Sequence, residues 1–431
     1  MKPFSFLLLV FCNLLFVCHG QSVGVGTGSP STTAQLDVTS SSKGFLMPRM
    51  TSEQRQAIVN PAVGLMVYQV NGTAGVYHYN GKQWLNMTHG VKPDEDGYLY
   101  GTVSTYAGNN AQSADVDGTI DNATFNDPKG LATDTAGNLW MAEPNTNVIR
   151  KIATDGTVST VAGVSGVYGY MDGPGNVANF AIPYAVAVDK LNNVYVVDRD
   201  NQRIRKISNG IVSTLAGTGF QGSDDGAGNA ATFFYPYAVA VDTSLNVYVA
   251  DSYNNKIRKI SPAGIVSTLA GTGAAEYIDG PGNVAAFNQP QGIAVDISGN
   301  VYVADSYNNR IRMITPGGVV STIAGSGVGS STDGQGVAAT LYHPDAIAVD
   351  VLGRMYLTEE STRKIRKISS TGNVTTLTGK YKIGTCSSVD GSMSVANFCN
   401  PWGIALINSK TTSGSVYVSD YNTIRKVAAL E

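Results

Sequence analysis

One short motif, Val-Tyr-Val-Ala-Asp, recurs through most of this chain. Its exact and looser copies begin at Leu139, Val194, Val247, Val301, Met355 and Val416. Neighbouring copies are about 53 to 61 residues apart. A regular period of this length is typical of solenoids and propellers, in which each repeat is one structural unit that packs on its neighbours. The chain is therefore constrained to fold as an array of six similar units.

Other features keep the same period. An arginine within Ile-Arg-Lys-Ile or a close variant follows each copy, at Arg150, Arg205, Arg258, Arg312, Arg366 and Arg425. An Asp-Gly pair precedes each copy, starting at Asp117, Asp172, Asp225, Asp279, Asp333 and Asp390. A proline follows each aspartate by 11 residues, at Pro128, Pro183, Pro236, Pro290, Pro344 and Pro401. This constant spacing predicts a packed loop of fixed structure.

Each repeat contains four short segments that are typical of β-strands. In the third full repeat they are residues 238–242, 247–251, 256–260 and 265–271, which are rich in Val, Ile and Tyr and bounded by Gly, Asn and Pro. Four strands per repeat form one blade of a propeller. The sequence therefore predicts an all-β fold of six four-stranded blades.

The phase of the repeats predicts how the two ends of the array meet. Residues 102–108 look like a fourth strand without its first three, whereas residues 403–407, 416–420 and 424–427 look like three strands without a fourth. One strand from the start and three from the end would complete a sixth blade. Such closure removes the exposed sheet edges of an open array.

The repeat resembles the NHL repeat. The resemblance rests on segments such as Pro290-Gln-Gly-Ile-Ala-Val-Asp296, Gly299-Asn-Val-Tyr-Val-Ala-Asp305 and Asn309-Arg-Ile-Arg312. It extends over about residues 102–427 and implies a six-bladed β-propeller at residues 101–428. Glu143 and Glu359 replace the usual aspartate in two repeats, and the last repeat is shortened.

The first 20 residues are typical of a secretory signal. Lys2 precedes an almost wholly apolar run at residues 4–17, and Cys18-His19-Gly20 follows. We therefore expect a secreted protein, located outside the cell or at its surface, with no membrane span. The exported chain would keep two cysteines, Cys386 and Cys399, as a candidate disulfide, with two unpaired thiols as the alternative.

Residues 21–90 do not share the repeat. They contain the hairpin signal Asn80-Gly81 and a possible short helix at residues 51–59, capped by Thr51 or Ser52. The segment resembles the N-terminal segments of exported surface proteins of Bacteroidota and phage tail-fibre modules. That resemblance implies attachment or oligomerisation. Residues 91–100 are predicted to be a polar linker.

Catalytic groups are scarce in the sequence. The net charge of −3 disfavours nucleic acid as a partner, and His343 is the one histidine in the predicted propeller. We assign no catalytic residue and expect no cofactor. The weak candidates for a calcium-type site are acids at the ends of the first strands, namely Asp134, Asp189, Asp242, Asp296 and Asp350. Asp in that position more often stabilises a hairpin turn.

Function is expected where the repeats differ. The residues after the six prolines are Lys129, Tyr184, Tyr237, Gln291, Asp345 and Trp402, and those after the second-strand acids include Arg199, Glu360 and Tyr421. Aromatic and polar groups around a channel mouth suit a protein or glycan ligand. The sequence therefore favours a binding or scaffold module. Two alternatives stay open: an ordinary variable surface, and a channel-metal hydrolase resembling the lactonase propellers.

Overall fold

The structure is a computed structural model that describes residues 23–25, 36–38, 46–71, 74–79, 84–86, 100–380, 388–407 and 415–429. The chain divides into two compact units, Met1–Gly90 and Val91–Glu431. The predicted signal and most of the predicted linker lie outside the described residues. Among the residues that are described, no helix is long and apolar enough to cross a membrane.

The first unit contains two small sheets and one short helix. Val23–Val25 pairs in parallel with Leu36–Val38, and a second sheet has the order Arg49–Met50, Met66–Gln69, Gly75–Tyr79, Trp84–Asn86. The helix Ser52–Gln56 begins after Thr51, whose side chain accepts a hydrogen bond from the Gln54 N–H in a capping box. Gly75–Tyr79 and Trp84–Asn86 pair antiparallel on either side of the expected hairpin turn, and Asn80 and Gly81 themselves lie outside the described residues.

The second unit consists of six five-stranded antiparallel sheets in the described ranges. We number the sheets 1 to 6 and give the strands of each from first to fourth, then the short outer strand. Sheet 1 contains Leu131–Thr133, Leu139–Glu143, Val148–Ile152, Thr157–Ala162 and Gly118–Thr119. Sheet 2 contains Pro183–Val188, Val194–Asp198, Arg203–Ser208, Ile211–Ala216 and Gly173–Pro174. Sheet 3 contains Pro236–Val241, Val247–Asp251, Lys256–Ile260, Ile265–Ala270 and Gly226–Ala227.

The remaining three sheets repeat this order. Sheet 4 contains Pro290–Val295, Val301–Asp305, Arg310–Ile314, Val319–Ala324 and Gly280–Pro281. Sheet 5 contains Ile347–Val349, Met355–Glu359, Lys364–Ile368, Asn373–Thr378 and Gly334–Gln335. Sheet 6 contains Pro401–Ile407, Ser415–Asp420, Thr423–Ala429, Tyr100–Gly108 and Gly391–Ser392. Short 3₁₀ turns lie at Ser252–Asn254, Ser306–Asn308, Gly336–Ala338 and Glu360–Thr362. The fold is thus all-β and of the β-propeller type.

The prediction of four strands per repeat was wrong by one strand. In each repeat the Gly of the Asp-Gly pair opens a two-residue outer strand that pairs with the fourth strand, as Gly280 does with Val320. Gly280 has φ 133°, a conformation that glycine adopts without a steric cost. The preceding Asp279 accepts a hydrogen bond from the Thr322 N–H at 3.1 Å. Two residues are too few to show a strand period, so no pattern in the sequence predicts this strand.

The core lies between neighbouring sheets. Each buried cluster is formed mainly by two adjacent sheets, and Trp402 of sheet 6 also joins the cluster of sheets 2 and 3. Each cluster contains the fully buried side chain that stands three residues before the repeat's proline. These side chains are Phe125, Phe180, Phe233, Phe287, Leu341 and Phe398. The first strands contact one another in sequence order, and that of sheet 6 contacts those of sheets 5 and 1. They surround a central cavity of about 210 Å³.

Candidate binding site at the loop face

The sheets have two distinct ends. We call the end where the chain crosses from one sheet to the next the loop face; Lys129, Tyr184 and Trp402 mark it. The opposite end is the turn face, where the first and second strands are joined by tight turns that begin at acids such as Asp242. The strand order places the predicted binding residues at the loop face and the predicted metal-binding acids at the turn face.

The acids at the turn face are engaged within their own hairpins. Asp242 accepts hydrogen bonds from the Ser244 N–H at 2.9 Å, the Asn246 N–H at 2.8 Å and the Tyr248 hydroxyl at 3.0 Å. Its Oδ2 also accepts a bond from the Asn246 side chain at 2.8 Å. Similar bonds are made by Asp134, Asp189, Asp296 and Asp350. These aspartates fix the turns.

A second set of repeated acids pairs with the repeated arginines. Arg258 is fully buried, and its guanidinium contacts Asp251 at 2.7 Å and Asp225 at 2.6 Å while lying 5.3 Å from the centroid of the Phe233 ring. The same double ion pair joins an arginine, a buried acid and the Asp of the Asp-Gly pair in every repeat. This explains why these residues recur: they hold the outer loop to the second strand.

Within the described ranges, no three His, Cys, Asp or Glu side chains gather in a way that could hold a metal ion. The acids expected at a channel calcium site accept hydrogen bonds from their own turns, and the calcium site stays a prediction. Cys399 is buried, and its predicted partner Cys386 lies outside the described residues, so the disulfide stays a prediction.

The predicted binding residues converge at the loop-face end of the channel. Tyr184 of sheet 2 lies edge-on to Trp402 of sheet 6, with ring centroids 5.3 Å apart, and to Tyr237 of sheet 3 at 4.8 Å. The Arg199 guanidinium covers Tyr184 at 4.7 Å, and the Lys129 ammonium lies 4.9 Å from the Trp402 centroid. Four sheets therefore contribute to one cluster, which only the packing of the sheets brings together.

This cluster fills the channel mouth instead of leaving it open. Lys129, Tyr184, Asp345 and Trp402 are each less than a tenth exposed. Arg199, Tyr237, Gln291 and Glu360 are half-buried, whereas Tyr421 is 41% exposed. Gln291 lines a small cavity of about 50 Å³ beneath the mouth, together with Tyr237 and Trp402. Tyr421 makes no ring contact with the cluster in the part of the chain that is described.

Two acids lie beside the aromatic cluster. The Asp345 carboxylate accepts a hydrogen bond from the Glu360 N–H at 2.7 Å. Burial raises the pKa of Asp345 well above its ordinary value, against the lowering effect of this N–H and of the Lys129 ammonium. Burial also raises the pKa of Glu360, and Lys129 again opposes the rise. Lys129 itself pairs with Asp127 at 3.1 Å. The mouth therefore combines aromatic faces with an excess of acidic groups.

The sequence reasoning missed the aromatic side chains that extend from this cluster across the loop face. They are Phe234, Tyr235, Tyr253, Tyr307, Tyr342 and His343. Tyr253 and Tyr307 are 45% and 46% exposed, far more than the predicted residues at the mouth. A signal was available, because Ser-Tyr-Asn-Asn follows the second-strand acid in the third and fourth of the six motif copies only.

Comparisons with known proteins agree with this architecture. Residues 287–312 match the family model of the NHL repeat, and residues 24–106 match the model of the phage tail like trimerisation region. The chain is 30% identical over 382 residues to the Arabidopsis thaliana protein SUPPRESSOR OF QUENCHING 1, chloroplastic, covering 81% of this chain and 36% of that protein. It is 28% identical over 249 residues to the Homo sapiens NHL repeat-containing protein 2, covering 49% and 34%. The chain thus spans about a third of these curated relatives.

A bacterial protein of known structure has a similar fold. The structure of an auxiliary nutrient binding protein from Bacteroides thetaiotaomicron superposes with a TM-score of 0.58 at 15% identity, covering 83% of each chain. Likeness at this identity concerns the fold alone. The chain therefore contains repeats of the NHL type on a fold of the β-propeller type, and residues 24–106 match a phage tail like trimerisation region.

Proposed function

We propose that this protein is an exported binding module, a closed six-bladed propeller that presents its loop face to a protein or glycan. The observation that carries the proposal is the cluster of Tyr184, Tyr237, Trp402, Lys129 and Arg199 at the loop face. These side chains differ from repeat to repeat, so no structural need of the repeat accounts for them. Convergent aromatic and charged groups at the end of a channel suit recognition of a ligand.

Ring closure is supported by the junction between sheets 6 and 1. The Asn422 side chain accepts a hydrogen bond from the Asp127 N–H at 3.1 Å, and the Ser419 hydroxyl donates to the Lys129 carbonyl at 2.8 Å. In sheet 6, Thr423–Ala429 pairs along its length with Tyr100–Gly108. We infer that both ends of the repeat region join in one blade.

Export and assembly are part of the same proposal. The secretory signal expected at residues 1–20, and a fold shared with an auxiliary nutrient binding protein, support a location outside the cell or at its surface. The match of residues 24–106 to a trimerisation region supports oligomerisation through the N-terminal segment. The hydrolase alternative has no comparable support among the described residues, because the acids that it needs are bonded within their hairpins.

The test compares the two faces. The chain without residues 1–20 is screened against arrays of purified glycans and of secreted proteins, and bound ligands are titrated with paired variants. Arg199→Ala and Glu360→Ala at the loop face should weaken binding by about tenfold or more, which is about 1.4 kcal/mol. Lys190→Ala and Leu191→Ala at the turn face are the matched controls and should leave binding unchanged. Loss of binding in the turn-face pair alone would assign the ligand to the other end.

A further inference from the structure

Two groups of aromatic residues lie on the loop face beside the channel mouth, one in sheet 3 and one in sheets 4 and 5. We call Tyr235, Tyr237, Tyr253, Tyr307, Tyr342 and His343 the aromatic track. Tyr253 lies nearly parallel to Tyr237, with centroids 6.5 Å apart, and packs against Tyr235 at 5.1 Å. His343 is stacked between Tyr307 and Tyr342, with both centroid distances at 4.8 Å.

The track belongs to one sector of the ring and is not required by the repeat. Tyr253 and Tyr307 stand two residues after the second-strand acids of sheets 3 and 4. The other sheets have small or polar residues at the same position, namely Asn145, Asp200, Ser361 and Asn422. Because those sheets fold without an aromatic residue there, the two exposed rings need an explanation other than packing. Exposed apolar surface of this kind marks an interaction site.

The rings are held in fixed positions before any ligand arrives. Tyr235 and His343 precede prolines in the left-handed region, with φ 43° and 44°. Their N–H groups donate to the side chains of Gln202 at 2.6 Å and Asn309 at 2.9 Å, each from the preceding sheet. The turn that carries Tyr307 is held by the Ser306 hydroxyl, which donates to the Pro344 carbonyl at 2.5 Å. A surface organised in this way loses little entropy on binding.

The charge of the track disfavours ionic ligands. Burial lowers the pKa of His343, which favours its neutral imidazole. Arg199 covers Tyr235 and Tyr237 at one end and is paired with Asp200 at 2.9 Å. The track therefore lacks the excess of positive charge that a nucleic acid needs. It offers ring faces together with tyrosine hydroxyls.

Main-chain docking of an extended peptide is also disfavoured. Such peptides bind by adding a strand to free backbone groups. Along the track the backbone N–H groups already have acceptors within the protein, as those of Phe234, Tyr235, Tyr253, Tyr307, Tyr342 and His343 show. A ligand must therefore be recognised through ring faces and side-chain hydroxyls.

We propose that the aromatic track binds a neutral carbohydrate chain, whose sugar rings stack on Tyr253 and Tyr307. The C–H faces of a sugar ring carry partial positive charge and match the negative faces of aromatic rings. The sugar hydroxyls can exchange hydrogen bonds with the tyrosine hydroxyls beside them. This inference rests on the proposed function, because it names the ligand class for the same face.

The experiment uses native gels that contain a soluble neutral glucan, mannan or xylan, with the chain lacking residues 1–20. We expect at least one polysaccharide to retard the protein. Tyr253→Ala and Tyr307→Ala should each raise the dissociation constant about tenfold, whereas Tyr253→Phe should retain most of the affinity because it keeps the ring. Tyr170→Ala, at another exposed loop-face tyrosine stacked with Arg203, is the matched control and should bind as the unchanged protein does.

The outcomes separate this inference from the proposed function. Melting curves first establish that each variant is folded. If none of the three polysaccharides retards the protein, the carbohydrate assignment is overturned. If a polysaccharide still retards the protein that carries both Tyr253→Ala and Tyr307→Ala, the aromatic track is not the binding site. If a secreted protein binds instead and is lost in Arg199→Ala, the loop-face function stands with a different ligand class. If no ligand depends on the loop face, both proposals fail.

Discussion

At the scale of single residues, two kinds of charged group are buried in this protein. The arginines, such as Arg258, are matched by two acids each, so that burial leaves no charge unpaired. Asp345 differs, because its carboxylate is only 4% exposed and accepts one backbone hydrogen bond, with no ion pair among the described residues. The repeated charges therefore stabilise the fold, whereas the burial of Asp345 at the candidate site lowers the stability of the protein.

We predict that Asp345→Asn stabilises the protein at pH 7. The amide keeps an acceptor for the Glu360 N–H and cannot ionise. Burial raises the pKa of Asp345 in the folded state, so the free energy of unfolding should fall as the pH rises from about 4 through the folded pKa. The variant should lack this slope and should have a higher free energy of unfolding than the unchanged protein at pH 7.

Melting temperatures measured from pH 4 to pH 8 test this prediction, with Glu276→Gln as the control at an exposed carboxylate. A variant that is less stable than the unchanged protein at pH 7 would mean that Asp345 is ionised and stabilised by Lys129.

At the scale of elements, one strand from the start of the repeat region completes a sheet formed by the end of the chain. Tyr100–Gly108 pairs with Thr423–Ala429 on one side and with Gly391–Ser392 on the other. Its buried side chains alternate with exposed ones, as Val103 and Ala107 alternate with Ser104. The strand therefore contributes to the core as well as to the hydrogen bonding of the sheet.

We predict that Val103→Asp destabilises the whole repeat region. The new carboxylate would enter the apolar cluster between sheets 5 and 6 without a partner, at a cost of several kcal/mol. Ser104→Asp, on the exposed side of the same strand, should change the melting temperature little. Circular dichroism melting of both variants provides the measurement, and equal melting temperatures would contradict a structural role for this strand.

At the scale of the whole molecule, neighbouring sheets are joined by a recurring side-chain bond. An amide at the loop face accepts the N–H of the residue before the next sheet's proline. The pairs include Asn147 with Ile182, Gln202 with Tyr235, Asn255 with Gln289, Asn309 with His343, and Asn422 with Asp127. The last pair joins sheet 6 to sheet 1. The junction of sheets 5 and 6 differs, because Arg363 occupies the amide position and the Asn400 N–H donates to Asp420 of its own sheet.

We predict that Asn422→Ala and Asn255→Ala both destabilise the protein. Each change leaves a backbone N–H without its acceptor, which costs about 1 to 3 kcal/mol. Asn255→Ala should lower the melting temperature somewhat more, because Asn255 lies in the left-handed region at φ 53°, which alanine disfavours. A clear loss in Asn422→Ala as well is expected if the ring is closed in solution, because the sixth junction then depends on this hydrogen bond. A neutral Asn422→Ala beside a destabilising Asn255→Ala would indicate an open ring.

We also predict that the N-terminal segment sets the oligomeric state. The chain without residues 1–20 should have a molar mass of about three chains by light scattering, since symmetric assemblies of identical chains are the rule. Removal of residues 21–90 as well should give a monomer with an unchanged melting temperature of the repeat region. If the chain without residues 1–20 is a monomer, the prediction of trimerisation is wrong.

The sequence by itself determined the repeat architecture, because six in-phase copies of one motif specify one packing unit and its neighbours. It also predicted the strand contributed by residues 102–108 and the hairpin role of the turn acids, since both follow from local patterns. The tertiary structure alone decided which residues meet at the channel mouth. Tyr184, Trp402 and Lys129 are more than 50 residues apart in the chain, and only the packing of their sheets brings them into contact.

Exposure was likewise decided by packing. Lys129, Tyr184, Asp345 and Trp402 bury one another at the channel mouth, whereas Tyr253 and Tyr307 beside them stay exposed. No spacing in the sequence reports how wide that mouth is. Local pattern therefore specifies the repeated unit, whereas the exposure of side chains at the loop face depends on how the six units pack together.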